Sequence, residues 1–256
     1  MQNDTLHTVT DYIQTLFDFL GISEGFAGGL PYFDTAIPPR ATIGYGFNIE
    51  VSDYLLLVLS QMGIVNGTMT ADQINSIRSE FTTSINNTPN GDWQALRTNL
   101  NQVANRYGVS SFRINETQGY EVFRNIVLGE AEGNIEVQGK QQRLDALLQS
   151  SLDHNSKEYV AVMSLFYNGE GLINSEKRLL AKAIINDNRS EAWFEIRYGS
   201  NGNGIHAGRR YDEAALFDLY DATQMTVNDA KEVMRMYTLH KETIDTYELS
   251  YPPPSV

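Results

Sequence analysis

The sequence predicts an α+β fold that is predominantly α, and three observations carry that prediction. Apolar residues recur at three- and four-residue steps along most of the chain, which is the period of an amphipathic helix. One stretch, 25–48, breaks that rhythm with glycines and three of the seven prolines, and it alone resists a helical reading. At 256 residues and 41% hydrophobic content, the chain has enough apolar mass for a sizeable core, as one large domain or two small lobes.

The elements follow in order. Leu6, Val9, Ile13, Leu16 and Leu20 line one face of a first helix, for which Gly21 is the expected stop. Next, Tyr32-Phe33-Asp34 and Thr42-Ile43-Gly44-Tyr45 are β-prone runs around a turn-rich segment, the pattern of a small hairpin or ribbon. The longest apolar run, Leu55 to Leu59, is far too short to span a bilayer. Thr70-Ala71-Asp72-Gln73 reads as a capping box for a helix near 71–85. Trp93, Leu96, Leu100, Val103 and Tyr107 form a stripe that ends at Gly108, and Tyr120, Phe123 and Val127 form another that ends at Gly129. Leu144, Leu148 and Leu152 continue the pattern. The segment Tyr159 to Asn168 is apolar nearly all round, so it is expected to be the central buried helix. Ser175 is expected to cap a helix carrying Leu179, Leu180, Ala183 and Ile184, and Ser190 precedes a further helical run. Thr226 to Asp229 opens a long last helix with Val233, Met234 and Tyr237, and Pro252-Pro253-Pro254 ends it. The loosest connections are expected around 86–91 and 129–140.

The charge balance narrows the function. With 32 acidic and 19 basic residues the formal net charge is −13. Such a chain lacks the basic patch that phosphate binding needs, so nucleic acid is not an expected partner. It also gains no long-range attraction to anionic membranes or anionic wall polymers. There are four histidines and no cysteine. Neither HExxH nor a Cys/His zinc spacing occurs, so neither a metal nor a cofactor is expected. Asn186 to Glu191 lacks the glycine and glutamate of a calcium loop. Met1-Gln2-Asn3-Asp4 has no basic n-region and no apolar stretch follows, so export is expected to depend on another component.

The candidate chemistry clusters in "GISEGFAGGLPYFDTAIPPRATIGYGFN". Its first five residues fit the G-x-S-x-G elbow of serine hydrolases around Ser23. That elbow needs a strand before it and a helix after it, and here the predicted order is reversed. His7 is the only histidine nearby. Glu24 is expected where the first helix ends, and Asp34 at the edge of the ribbon. Two carboxylates across a groove suit glycosidic cleavage: one stays protonated and feeds the leaving oxygen, the other stays ionised and orients water or attacks the sugar. Apolar neighbours Leu20, Ile22 and Phe26 would desolvate Glu24 and raise its pKa, while a solvated Asp34 would stay ionised. Each acid also has a plain reading, as a surface residue after a helix and as turn chemistry. Tyr45 and Phe47 have two open roles, stacking on sugar faces or packing the ribbon onto the body. Asn168 either caps the buried helix or faces a cleft. Arg209, Arg210 and Glu213 are expected to form a structural ion network, and His206 to sit in a loop.

Read together, Glu24-Gly25, Tyr32, Asp34, Thr42-Ile43-Gly44-Tyr45-Gly46 and Asn48 resemble the opening of the phage lysozymes, the muramidases of glycoside hydrolase family 24. Downstream, Ala161 to Asn168, Ser175 with Leu179-Leu180, Ala192-Trp193 and Gly208-Arg209-Arg210 with Glu213 resemble that family's second lobe in order and spacing. Phe47 stands where the family commonly has histidine. Residues 51–157 match nothing in the family. The stretches around Ala192-Trp193 and Gly208-Arg209-Arg210 also resemble lysozyme-type domains of bacterial secretion effectors, including type VI ones.

The resemblance implies a single lysozyme-like domain over 1–256 with two lobes. Its parts would be a catalytic helix and ribbon over 5–50, a helical insertion over 51–157 and a C-terminal helical lobe over 158–250. It implies Glu24 as general acid, Asp34 and Thr42 as the residues that hold and activate water, and Tyr32, Tyr45, Phe47, Asn48 and Asn168 as substrate contacts. The implied reaction is inverting hydrolysis of the β-1,4 bond between N-acetylmuramic acid and N-acetylglucosamine, with a carboxyl separation of about 6.5–9.5 Å. The implied partners are peptidoglycan strands, an immunity or inhibitor protein and a secretion carrier. The place of action would be the bacterial cell wall, in the periplasm. Two alternatives stay open: a lytic transglycosylase using Glu24 alone, and a non-catalytic glycan-binding domain.

Overall fold

The computed structural model describes residues 11–130, 135, 137–173, 178–201, 204–219 and 225–252. The side chains of 22–24, 172 and 201 lie outside the described set. The fold is α+β and predominantly α, with eleven α-helices and one three-stranded antiparallel sheet among the described residues. None of the described helices is long and apolar enough to cross a membrane.

The chain divides into two compact units, and they do not follow the expected partition. Leu20–Gln142 forms one, and the chain up to Phe19 together with Arg143–Val256 forms the other. The boundaries run inside two helices, α1 (Tyr12–Glu24) and α6 (Lys140–Leu148). The ribbon is therefore not a separate lobe from the helices that follow it. Most of the segment expected as an insertion shares its unit, because the sheet has too few residues to bury an apolar face alone.

In the 20–142 unit the sheet comes first. Strands β1 (Tyr32–Phe33), β2 (Ala41–Ile43) and β3 (Phe47–Asn48) lie in the order β1-β2-β3. The third strand was not anticipated. Gly44 and Gly46, both at positive φ, turn the chain back so that Ile43 pairs with Phe47. Helix α2 (Ser52–Gln61) buries Leu55 to Leu59 without a break. A helix apolar all round needs neighbours on every side, and β3, α3 (Ala71–Asn86) and α5 (Glu116–Leu128) supply them. The capping box at Thr70 and Gln73 starts α3 as the sequence predicts. A second box, Asn115 with Gln118, starts α5. The Gln118 amide also donates to the Gln61 carbonyl at 2.6 Å and so satisfies the open end of α2. Ile74, Ile77, Phe81 and Ile85 of α3 face Leu96, Leu100 and Val103 of α4 (Trp93–Arg106), with Phe112 against Phe81 at 5.4 Å.

Two glycines set the path from α1 into the sheet. Helix α1 runs through the expected stop at Gly21 and ends at Glu24. Gly25 is the stop instead, at φ +58°, with its N–H bonded to the Gly21 carbonyl at 3.1 Å. Gly29, at φ +71°, lies so close to the backbone of Ile114 that a Cβ there would stand 1.8 Å from the Ile114 oxygen. The Ile114 N–H bonds back to the Gly29 carbonyl at 3.1 Å. The 26–31 turn is thus pinned to the segment before α5.

In the other unit, α7 (Lys157–Asn168) is the buried central helix that the sequence predicts, with Glu158 to Phe166 all inside. It packs against α10 (Ala207–Phe217). Their contact holds a buried ion network: Glu213 accepts from Ser164 Oγ at 2.7 Å and from Arg209 Nε at 3.3 Å, and its other oxygen pairs with Arg210 Nη1. Glu213 is fully buried and Arg210 is 3% exposed, so this is an interior network and not a surface pair. Helix α8 (Leu179–Ile185) starts at Arg178, which offers no side-chain cap; the predicted cap Ser175 lies outside the described residues. Asn188 caps α9 (Arg189–Arg197). Ser190 is buried in the first turn, and its hydroxyl lies 3.3 Å from the Asn188 side chain. The Arg189 guanidinium bonds the Phe217 and Leu219 carbonyls and pairs with buried Glu158, closing the end of α10. Helix α11 (Val227–Ser250) starts at Thr226 as predicted, with a capping box to Asp229, but buries a different face. Met236, Ile244 and Tyr247 face Phe194 and Tyr198, His240 stacks on Phe194 at 3.7 Å, and Met234 and Tyr237 are exposed. The aromatic rings of α9 decide which face turns inward.

Two substitutions test this reading. Gly29→Ala adds about 1–3 kcal/mol of backbone strain before any shift of Ile114, and should lower the urea midpoint clearly. Glu213→Ala leaves buried Arg210 and half-buried Arg209 without their carboxylate and should cost about 3–5 kcal/mol in equilibrium unfolding. A loss under 1 kcal/mol there would mean the network is wet.

Candidate active site

The ribbon places the candidate residues on one short stretch of sheet. Tyr32 pairs with Thr42, and Thr42 pairs in turn with Asn48, so three of them lie side by side across the three strands. Glu24 is the last residue of α1, one turn and a loop before β1; its side chain lies outside the described residues, and so does that of Ser23. The backbone order is helix, loop, strand. That is the reverse of a nucleophile elbow, so Ser23 lacks the local geometry that the G-x-S-x-G pattern requires.

Asp34 follows β1 directly, and its carboxylate is fully occupied. Oδ1 accepts the N–H groups of Ala36 at 3.0 Å and Arg40 at 2.8 Å. Oδ2 accepts Nε and Nη2 of Arg40 at 2.9 and 2.8 Å. An ionised carboxylate offers about four lone-pair positions, and the turn from Asp34 to Arg40 fills them all. The backbone adds a further bond, from the Asp34 N–H to the Arg40 carbonyl at 3.0 Å. Burial alone would raise the pKa of Asp34, but the two backbone donors and the Arg40 guanidinium outweigh it and hold the carboxyl below its ordinary value. Asp34 is thus ionised, as expected, but it closes a loop and has no acceptor left for a water in this state. Arg40 was missed in the sequence. It is the one cation between Gly21 and Glu50, and that isolation was its signal.

Thr42 does not present its hydroxyl to solvent. It is 2% exposed, and Oγ1 donates to the Tyr32 carbonyl at 3.3 Å. The expectation that it holds water is corrected on that ground: a hydroxyl inside the sheet is spent on the neighbouring strand. Phe47 is also corrected. At 1% exposure it is a core side chain under the ribbon and offers no face to a sugar. Tyr45 is half-buried between Phe26, at 5.0 Å, and Gly119 of α5, where an added Cβ would press on its ring. Burial, then the Glu116 carboxylate, raise its phenol above the ordinary value. Of the two roles open to Tyr45 and Phe47, packing the ribbon accounts for these contacts. Asn48 accepts the Glu50 N–H at 3.0 Å, and Glu50 accepts the Ala41 N–H at 2.8 Å, so both lock β3 before α2. Tyr32 is half-buried on the outer strand. Asn168 ends α7 in the other unit, exposed, with its amide bonded to the Ser164 carbonyl at 2.9 Å. That is a terminal cap in effect.

One neighbour of the ribbon was read only as part of a helical stripe. Helix α4 packs against β1, and Arg97 Nε donates to the Pro31 carbonyl at 2.9 Å, one residue before Tyr32. The same guanidinium lies over the Trp93 ring, 4.4 Å from its centroid. Among the described residues no group of three or more His, Asp or Glu side chains is arranged to hold a metal ion.

Compared with protein-family models, with curated proteins and with solved structures, the chain matches none of them.

The lowered pKa of Asp34 gives a pH dependence of stability. A depressed carboxylate contributes stability above the unfolded pKa of about 3.9 and loses it as pH falls through the folded value. Asp34→Asn should therefore destabilise most near neutral pH, and the gap from the parent should shrink as urea titrations move to pH 3. A gap that stays constant with pH would mean that the ionised form adds nothing.

Proposed function

We propose that the chain is a peptidoglycan glycosidase that breaks the β-1,4 bond between N-acetylmuramic acid and N-acetylglucosamine, with Glu24 as general acid. The observation that carries this reading is positional. An acid closes a helix, and a three-stranded antiparallel ribbon follows it with Asp34 after its first strand and Thr42 and Asn48 paired on the next two. That is the order in which the resemblance to the phage muramidases assigns proton donor and water-holding partner.

In the hydrolytic form, the Glu24 carboxyl gives its proton to the glycosidic oxygen as the bond from the anomeric carbon breaks. Water attacks the opposite face and leaves its proton on Asp34. That step requires Arg40 to leave Oδ2. Arg40 is 53% exposed, and an exposed ion pair is worth only about 0–1 kcal/mol, so a bound substrate can displace it at small cost. The two backbone donors on Oδ1 would still hold the carboxylate in place.

One observation favours a second reading. With all of Asp34's acceptor positions filled and Thr42 turned into the sheet, a mechanism that needs neither residue fits the resting geometry. A lytic transglycosylase protonates the same oxygen with Glu24 as the glycosidic bond breaks; the sugar's own 6-hydroxyl then closes on the anomeric carbon and returns its proton to the Glu24 carboxylate, leaving a 1,6-anhydro end.

Action at the bacterial wall, delivery by a secretion carrier and restraint by an immunity protein belong to the same proposal. They fit an acidic chain whose charge of −13 gives no capture of anionic wall from solution.

Digestion of purified peptidoglycan decides between these readings. Glu24→Gln should lower the rate of fragment release about 100- to 10,000-fold, the scale of a general acid. Reducing-end products identify hydrolysis and anhydro ends identify the transglycosylase. Wall fragments bound but left uncut by the parent would make the chain a glycan-binding domain.

A further inference from the structure

Trp93 is the first residue of α4, and its ring is 46% exposed. Large aromatic rings on a soluble surface usually hide one face against apolar neighbours. Here a cation covers the ring: the Arg97 guanidinium lies over it, 4.4 Å from the centroid. Arg97 is itself fixed, because its Nε is tied to the Pro31 carbonyl at 2.9 Å. Among the described residues, neither of its Nη atoms has a hydrogen-bond partner. A half-buried guanidinium tied at Nε, with its fork still open, is set to accept a carboxylate. The tie to Pro31 puts this pair beside β1, at the residue before Tyr32 and three residues before Asp34 along the same chain segment.

We propose that Trp93 and Arg97 form a glycan subsite on α4. The indole stacks on a pyranose ring, and the guanidinium holds a carboxylate that the strand carries on its lactyl or peptide branches. The identity of the ligand rests on the glycosidase reading above, which this subsite extends along the strand beyond the bond that is cut. The chemistry is that of an acidic polysaccharide: a sugar ring supplies an apolar C–H face for an aromatic ring, and its carboxylates find here a cation preorganised by stacking. In a chain of net charge −13, local cations of this kind are what seat an anionic polymer against the overall field.

The test measures binding apart from cleavage. In a Glu24→Gln background, calorimetric titration uses two probes: short uncross-linked peptidoglycan strands with stem peptides, and neutral N-acetylglucosamine oligomers. Trp93→Ala should weaken both probes about two- to tenfold, the size of one lost aromatic contact, while Trp93→Phe keeps most of the affinity. Arg97→Ala should weaken the strands by a similar factor and leave the neutral oligomers nearly unchanged. Thermal melting of each variant checks that the unit is folded. If strands bind the parent and Trp93→Ala binds them equally well, the subsite is overturned. If Arg97→Ala weakens both probes alike, the carboxylate contact is overturned. A reducing-end and anhydro-end assay on the chain with Glu24 intact separates the two proposals. Cleavage without any effect of Trp93 sinks the subsite alone. Binding through Trp93 without cleavage sinks the glycosidase and leaves the subsite. Failure of both probes to bind, with no cleavage, sinks both.

Discussion

The carboxylate of Asp34 holds the ribbon in register, and the placement of the candidate residues on the sheet depends on it. A turn of seven residues with two adjacent prolines has few backbone partners of its own, and Pro38 and Pro39 offer no N–H at all. Asp34 supplies the missing acceptors. It bonds the N–H groups of Ala36 and Arg40 and the Arg40 side chain, and it stands where β1 hands over to the turn that leads into β2. With that closure, Tyr32 meets Thr42 and Phe33 meets Ala41. A register slip of one residue would turn Ala41 and Ile43 away from the core, and those two buried side chains are what anchor the sheet to it. The same group thus serves as a structural tie at rest and, on the glycosidase reading, as the partner of a water.

How far the sequence could be read follows from where each residue's partners lie. The capping box at Thr70, the helix start at Thr226 and the middle of the α4 stripe, Leu96, Leu100 and Val103, depend on neighbours within one or two turns, and the structure has them where they were expected, while Trp93 at the head of that stripe is exposed. The first helix was stopped too early because Gly21 carries the right residue type. The competing Gly25 four residues on has the positive φ that ends the helix. The long last helix was given the wrong inward face because Val233, Met234 and Tyr237 keep helical spacing. Phe194 and Tyr198, more than thirty residues away in sequence, select Met236 and Tyr247 instead. Long-range partners also decided the candidate site. Nothing local to "TIGYGFN" says that Phe47 is buried or that Thr42 bonds Tyr32, because those facts come from the pairing with the first strand and from α2 behind the third. Asp34 and Glu24 were legible as acids beside a ribbon; what occupies Asp34 was not.

Buried charge divides the molecule's polar residues by task. Glu213, Arg210 and Ser164 are deep, matched and fixed between α7 and α10. Such networks are costly to desolvate and gain little for stability over apolar packing, so their usual contribution is to define one arrangement. Glu158 with Arg189 closes the end of α10 in the same way. The ion pair at Asp34 is different: its carboxylate is half-buried and its arginine exposed. A pair of that kind opens at low cost, which is a property a reacting group needs and a core tie does not.

That difference bears on how Glu24 would keep its proton. A general acid at neutral pH needs its pKa raised, by burial or by a like charge nearby. While Arg40 sits on Asp34, the pair is close to neutral and would offer a neighbouring acid little electrostatic help. If an incoming anionic strand draws Arg40 toward its own carboxylates, Asp34 becomes both an open acceptor and an uncompensated negative charge. On the glycosidase reading, that charge would act across the groove on the proton donor as a like charge, which favours a protonated acid. One displaced guanidinium would then prepare the water's partner and the proton donor together, and only when substrate is present. Arg97, held over Trp93 and tied to Pro31, would keep its place through this exchange, since its backbone bond and its stacking contact do not depend on Asp34. The two arginines near the ribbon would divide the work, one yielding to the strand and one gripping it.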